Sequence, residues 1–164
     1  MTYSSKTSEA SLWKWLRAKT LRLRDLHLCR VENSCGSGYP DVEGCWASHD
    51  FKIELKTCAR PSRDATELDL GHLTTEQCMW LRRRVSVGGR AFVLVRVGCN
   101  RDARHYLVPG GGRPFEMRNG LLEAKLATYS LCEPLADAEQ LVTGAAMWQP
   151  PRNWERSISI RASS

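Results

Sequence analysis

The stretch from Gly38 to Lys56, GYPDVEGCWASHDFKIELK, constrains the fold more than any other part of the chain. Apolar and polar residues alternate at its end, so that Ile53 and Leu55 would share one face of an extended strand and Glu54 and Lys56 the other. Burying a carboxylate and an ammonium inside a protein costs free energy of folding, unless the two charges pair with each other or serve a binding or catalytic role. The pattern therefore predicts a core strand with a charged pair at its end.

A β-hairpin would bring a second carboxylate to this pair. Turn-forming residues separate two extended segments, 39–46 and 50–58, which predicts that the segments pair side by side. Asp41, directly after Pro40, would then lie near Glu54. Carboxylate oxygens are the ligands that a hard divalent cation such as Mg²⁺ prefers. A lysine beside such a cation would position or activate a water molecule.

Periodicity in the rest of the chain predicts an α/β domain. The 164 residues, of which 42% are hydrophobic, suffice for one core with a small appendage. Ser8 or Ser11 would cap the first helix, Thr74 would cap the second, and an irregular loop would fill 59–72. The predicted elements are a helix over 8–21, a strand over 26–32, the hairpin, a helix over 75–87, a buried strand over 90–97, an edge strand over 104–108, and helices over 121–131 and 137–148.

At the hairpin the chain resembles the PD-(D/E)XK nucleases. Pro40 and Asp41 match the first half-motif, and Glu54-Leu55-Lys56 matches the second. The stretch 73–81, LTTEQCMWL, resembles the glutamine-bearing helix that follows the motif in the VRR-NUC and Holliday-junction-resolvase-like branches. The resemblance extends over about 9–97.

This resemblance implies a fold and a domain organisation. We expect a restriction-endonuclease-like core with a mixed central sheet flanked by helices over residues 1–108. A small C-terminal helical extension over 109–164 would pack on that core and fray at its end. Several branches act as homodimers, because cutting both strands of a duplex or junction calls for two sites.

The activity that the resemblance implies is metal-dependent endonucleolytic hydrolysis of DNA, with junction or branched DNA as one substrate option left open. Asp41 and Glu54 would hold Mg²⁺, or Mn²⁺ as a substitute, with the backbone carbonyl of Leu55. Lys56 would orient the attacking water or offset the charge that builds in the transition state. The alternative from another class is a catalytically silent DNA-binding module with the same fold.

Three further residues each have two interpretations. Glu9 is either a first-turn acid that favours the helix dipole or the extra carboxylate that related nucleases carry on their first helix. Glu32 is either an exposed acid at a strand end or the third ligand, which its nearness along the chain favours. Gln77 either completes a capping box with Thr74 or, by resemblance, faces the metal site.

The basic residues suggest a polyanionic partner. The formal charge of +6 fits DNA, although charge bears on association and not on fold. Arg60 and Arg63 follow the proposed site and would grip phosphates if they are not simply solvated, and Arg82 and Arg83 would touch the DNA backbone without base specificity. Glycines in the loop over 33–38 would let the backbone approach a bulky ligand closely.

Several other classes of protein are disfavoured. No apolar run reaches membrane-spanning length, and the polar start MTYSSKTSEAS is unlike a secretory signal, so we expect a cytoplasmic protein, in a host cytoplasm if a phage encodes it. The seven cysteines form no CxxC pair, which favours reduced structural thiols. The Gly110–Gly112 run lacks the GK[ST] of a phosphate loop. A nuclease that acts on RNA or on single strands is a third interpretation, which differs only in substrate.

Overall fold

The computed structural model describes residues 5–32 and 36–151, with side chains from residue 9 onward, and contains a five-stranded mixed sheet flanked by helices. The predicted α/β class is therefore confirmed. The elements are α1 (Ser5–Thr20), β1 (Leu26–Arg30), β2 (Val42–Trp46), β3 (His49–Cys58), α2 (Thr75–Ser86), β4 (Ala91–Val97), a 3-10 turn (Asn100–Asp102), β5 (Arg104–Pro109), α3 (Arg113–Arg118), α4 (Glu123–Tyr129) and α5 (Ala138–Met147).

The strands lie in the order β1-β2-β3-β4-β5. Neighbouring strands are antiparallel except β3 and β4, which are parallel. Parallel neighbours need a crossover, and the segment that contains α2 supplies it. The strand with the alternating pattern, β3, is thereby placed at the centre of the sheet.

The sheet buries a separate hydrophobic cluster on each face. The strand β4 is covered on both faces, as its nearly continuous apolar sequence predicts. The first cluster joins α1 and α5 to the sheet and includes Leu12, Leu16, Ile53, Leu55, Leu94, Leu141 and Val142. The second joins α2, α3 and α4 to the opposite face and includes Cys78, Leu81, Val85, Val93, Val95, Met117 and Leu126.

The hairpin of β2 and β3 closes with a two-residue turn. Trp46 pairs with His49, and the intervening Ala47 and Ser48 have φ values of 47° and 68°. Positive φ at both central residues is the geometry that matches the twist of a hairpin, and it is usually given to Asn or Gly. The predicted hairpin is thus formed over 42–58, with its first strand three residues shorter than predicted and without the residues that most favour its turn.

Several predicted boundaries are wrong. Since α1 begins at Ser5, Ser8 and Ser11 lie inside the helix and are not its caps. The strand β1 ends at Arg30, two residues before Glu32. The short helix α3 was not predicted at all. The predicted frayed end lies in 152–164, outside the described residues, as do residues 33–35 of the glycine loop.

The loop over 59–72 is irregular, as predicted, but it is anchored in the core. Leu68 and Leu70 are almost fully buried, and Leu68 forms an isolated bridge with Leu121. These contacts hold the entry to α2 against the sheet. Within 5–32 and 36–151, no helix combines the length and the apolar character that crossing a membrane would require.

Candidate active site

A buried ion pair lies on the inner face of β3. The side chain of Glu54 is 1% exposed and that of Lys56 is 5% exposed, and Lys56 Nζ lies 2.7 Å from Glu54 Oε1. Both face the α2 side of the sheet, because they are in register with Val93 and Val95 of the second hydrophobic cluster. The alternation in the sequence thus places two charges inside the protein.

Asp41 joins this pair through the register of the hairpin. Val42 pairs with Ile53, so the next residue on each strand brings Asp41 opposite Glu54. Asp41 Oδ2 accepts a hydrogen bond from the backbone N–H of Leu55 at 2.9 Å. Its own carbonyl accepts from Val31 N at 2.8 Å, which ties β1 to the same position. The carboxylate is therefore fixed against the end of β3.

Glu9 of α1 is the third carboxylate of the cluster. Its Oε1 lies 3.4 Å from Lys56 Nζ, although 47 residues separate the two in the chain. Burial raises the pKa of Glu9, an effect that Lys56 partly offsets and the charge of Asp41 reinforces. It also lies beyond the first turn of α1, so the helix-dipole interpretation is wrong. Glu32, in contrast, is exposed beyond β1.

Gln77 does both things that the sequence analysis treats as alternatives. Its Oε1 accepts from Thr74 N at 2.8 Å, and its backbone N–H donates to Thr74 Oγ1, which completes the capping box of α2. At the same time its Nε2 donates to Glu54 Oε1 at 2.5 Å. One amide thus fixes the start of the helix and the orientation of a buried carboxylate.

The electrostatics of the cluster follow from three acids around one ammonium. Burial raises the pKa of Glu54 to about 8, and the negative charges of Asp41 and Glu9 add to the effect against the opposing Lys56. Burial alone would lower the pKa of Lys56, but the Glu54 and Glu9 carboxylates outweigh it and raise that pKa. Lys56 is therefore an ammonium at neutral pH in this cluster.

The oxygen atoms of this cluster are of the kind that a divalent cation prefers. Glu54 Oε2 is buried and has no hydrogen-bond partner among the described residues. An orphaned carboxylate oxygen beside two more acids fits a hard cation that takes oxygen ligands. Leu55, whose carbonyl is the further predicted ligand, is fully buried between the two charged residues. Across the described segments, however, no three His, Cys, Asp or Glu side chains form a ready-made metal cage.

His72 also borders the cluster, and the sequence analysis did not single it out. Its Nε2 lies 3.8 Å from Glu9 Oε1. Burial lowers the pKa of His72, and the charge of Lys56 lowers it further, so the ring is neutral at neutral pH. The signal available in the sequence was its position two residues before the Thr74 cap, in the loop that enters α2.

The predicted phosphate contacts differ in their surroundings. Arg82 and Arg83 are exposed on α2, and Arg63 is exposed in the loop. Arg60 is already engaged, because its Nη2 donates to the carbonyl of Asp102 at 2.7 Å and its Nε lies 3.7 Å from Glu123 Oε2. It braces the loop against the β5 side of the sheet.

The glycine loop before Pro40 packs against the backbone of α2. At Gly38, whose φ is +84°, an added Cβ would lie 2.5 Å from the carbonyl oxygen of Glu76. The loop before Pro40 is therefore packed directly on the first turn of α2. This contact holds the Asp41 and Gln77 sides of the site together.

Comparisons with known proteins give little beyond this geometry. No family model matches the chain, and no curated protein matches it. Among solved structures, the chain is similar to Hjc, a Holliday junction resolvase from the archaeal hyperthermophile Archaeoglobus fulgidus, with 17% identity and a TM-score of 0.34. The match covers 74% of this chain and 95% of that chain. A likeness of this degree leaves the function to be argued from the site itself.

Proposed function

We propose that this protein is a divalent-metal-dependent endonuclease that hydrolyses DNA phosphodiester bonds. The observation that carries the proposal is the buried contact of Lys56 Nζ with the Glu54 and Glu9 carboxylates, beside the Asp41 carboxylate that is fixed on Leu55 N–H. In this cluster Glu54 Oε2 is buried and has no hydrogen-bond partner among the described residues. Burying charged groups reduces the stability of a protein. Clusters of buried charges are therefore found most often at binding and catalytic sites.

Three acids and one backbone carbonyl would hold the cation. We assign the ligands to Asp41, Glu54, Glu9 and the carbonyl of Leu55, with the exposed Glu32 as a further candidate. Because no three acids of the described residues form a ready-made cage, these side chains would have to close around the ion when it binds. Mg²⁺ would suit these hard ligands, with Mn²⁺ as a substitute. When bound, the ion polarises the phosphate and lowers the pKa of a coordinated water.

Lys56 and Gln77 would prepare the site around these ligands. The ammonium of Lys56, 2.7 Å from Glu54 Oε1, is placed to offset negative charge that builds on the phosphate. Gln77 holds the Glu54 carboxylate in one orientation through a hydrogen bond from a helix that is itself capped. A fixed carboxylate loses no reorganisation energy when it acts, which is why we assign Gln77 a positioning role.

The DNA backbone would be held by exposed arginines near the site. Arg63, Arg82 and Arg83 are free of the protein interior and could pair with phosphates without reading bases. Arg60 would have to leave Glu123 to do the same, so we expect it to contribute less.

The test is a cleavage assay with and without Mg²⁺ or Mn²⁺. Linear duplex, flap, four-way junction, single-stranded DNA and RNA would each be offered to the wild type. We expect at least one DNA substrate to be cut only when metal is present. We expect Asp41→Asn and Lys56→Gln each to lower the rate at least about 100-fold.

A matched control comes from the same hairpin. Glu43 is a carboxylate paired with Lys52 at 3.1 Å, outside the cluster, so Glu43→Gln should leave the rate within about threefold. Metal-free DNA binding by all three variants should stay close to that of the wild type. If the wild type binds DNA but cuts no substrate with either metal, the catalytically silent module is the correct assignment.

A further inference from the structure

A cavity lies on the opposite face of the sheet from Glu54. It has a volume of about 730 Å³ and is bounded by α1, the β4–β5 edge and the start of α5. That volume is in the range of sites that bind small organic molecules. The side chains that matter for its chemistry are Trp15, Lys19, Arg96, Asn100, His105 and Glu139.

One part of the cavity is cationic. Arg96 follows Val95 on β4 and so faces the other side of the sheet from the Glu54 cluster. Both Nη atoms of Arg96 lie 3.4 Å from Ser11 Oγ, which holds the guanidinium against α1. Lys19, one turn beyond Trp15 on α1, lines the same space. A held guanidinium with a lysine nearby suits the oxygens of a phosphate group.

One wall of the cavity is aromatic and uncharged. The rings of Trp15 and His105 are parallel, with centroids 4.0 Å apart and an interplanar angle of 2°. His105 is only 7% exposed, and burial lowers its pKa to about 4, so the ring is neutral at neutral pH. A flat, rigid indole supported from behind is the kind of surface on which a nucleobase stacks.

The remaining wall offers hydrogen-bond acceptors. Asp137 and Glu139, at the start of α5, line the cavity. Asp137 Oδ1 is used to cap α5, because it accepts from Gln140 N at 2.8 Å. Glu139 with Asn100 is then suited to sugar hydroxyls and to the amino groups of bases, which donate hydrogen bonds. Cations, an aromatic plane and acceptors together match the parts of a nucleotide.

The cavity and the candidate active site share one helix. Glu9 of α1 reaches Lys56, and Ser11, two residues further along, reaches Arg96. Thr57, the residue after Lys56, is in register with Arg96. A nucleic-acid strand that crosses the ends of β3 and β4 would therefore meet both places in succession.

We propose that this cavity binds a nucleoside phosphate, supplied either as a free nucleotide or as an unpaired nucleotide of a DNA strand bound at the candidate active site. The second source rests on the proposed nuclease function, whereas the first does not. The unpaired nucleotide would give the protein a preference for DNA with a single-stranded arm.

Binding measured without metal separates the two sources. Deoxyadenosine monophosphate would be titrated by calorimetry, and a blunt duplex and the same duplex with a single-stranded tail would be titrated by fluorescence anisotropy. We expect the tail to strengthen binding and Arg96→Gln to remove about tenfold of that gain while leaving the blunt duplex unchanged. Arg101→Gln, an exposed arginine outside the cavity, should change neither value by more than about twofold.

A second variant guards against a folding defect. If Arg96→Gln unfolds, Lys19→Gln on the exposed face of α1 should give a smaller loss of the same kind. Saturable, Arg96-dependent binding of the mononucleotide identifies a free nucleotide, and an effect seen only with tailed DNA identifies the strand. Equal binding of tailed and blunt duplex together with no mononucleotide binding overturns the proposal.

The outcome is separable from that of the nuclease assay. Arg96-dependent nucleotide binding in a protein that never cuts DNA would support this cavity and refute the proposed function. Metal-dependent cutting with unchanged binding in Arg96→Gln would do the reverse.

Discussion

At the scale of single residues, the site is readable from the sequence where neighbours along one hairpin create it. Glu54, Lys56 and Asp41 follow from strand alternation and hairpin pairing, both of which are local. Glu9 reaches the cluster from a helix 47 residues away, and that contact depends on how α1 packs on the sheet. Nearness along the chain favours Glu32, which is exposed beyond β1 and stays a prediction.

Gln77 gives a prediction at this scale because its amide has two separate tasks. Gln77→Ala should lower the free energy of unfolding by about 1–2 kcal/mol, since both the cap contact and the bond to Glu54 are lost. Gln77→Glu keeps the acceptor for Thr74 N but places a carboxylate against Glu54. We expect it to be at least as destabilised at pH 8 and less so at pH 5, where a shared proton relieves the repulsion.

The capping box of α5 is the matched control. Gln140 Oε1 accepts from Asp137 N at 2.9 Å in the same way, without a buried acid beside it. Gln140→Glu should therefore change stability by less than about 0.5 kcal/mol in urea unfolding. An equal loss in Gln77→Glu and Gln140→Glu would show that the contact with Glu54 does not matter.

At the scale of elements, the sequence predicts those helices and strands that are long enough to show a hydrophobic period. The helix α2 and the strand β4 are confirmed because each has a long apolar pattern and a clear start. The helix α3 was missed because its six residues span less than two turns and give no period. The loop over 59–72 has no period in the sequence, and only the folded chain shows that its Leu68 and Leu70 are core residues.

The contact between the glycine loop and α2 gives the second prediction. Gly38→Ala must adopt a positive φ and also place its Cβ 2.5 Å from Glu76 O. Gly36→Ala meets the same backbone penalty, with φ of +104°, but its Cβ would have no heavy atom of the described residues within 4 Å. We expect Gly38→Ala to be the less stable of the two by at least about 1 kcal/mol in urea unfolding. Equal losses would mean that the loop moves away from α2 at no cost.

At the scale of the whole molecule, stability should depend on pH through a histidine that the sequence left unremarked. Burial, with the charge of Arg96, lowers the pKa of His105 from 6.5 to about 4. Protons then bind the unfolded chain before the folded one as pH falls. The free energy of unfolding therefore keeps its full value with respect to His105 above pH 6.5. It falls by up to about 3 kcal/mol as the pH drops from 6.5 to 4.

Replacement of the ring isolates this effect. His105→Phe keeps an aromatic plane against Trp15 and cannot titrate, so its stability should fall less between pH 6.5 and 4 than that of the wild type. The readout is the difference between the two proteins, because Glu54, whose pKa is raised from 4.5 to about 8, contributes with the opposite sign over that overlapping range of pH. Parallel pH profiles in thermal unfolding would refute the assignment.

The protein can be stabilised by substitutions in the turn at Ala47 and Ser48. Neither side chain suits the left-handed backbone that both residues adopt, so Ala47→Asn together with Ser48→Gly should stabilise the turn without touching the candidate active site. The two positions are solvent-facing, at the tip remote from Asp41. A parent protein stabilised in this way should better tolerate the substitutions proposed at Asp41 and Lys56, so it is a suitable background for testing the proposed function.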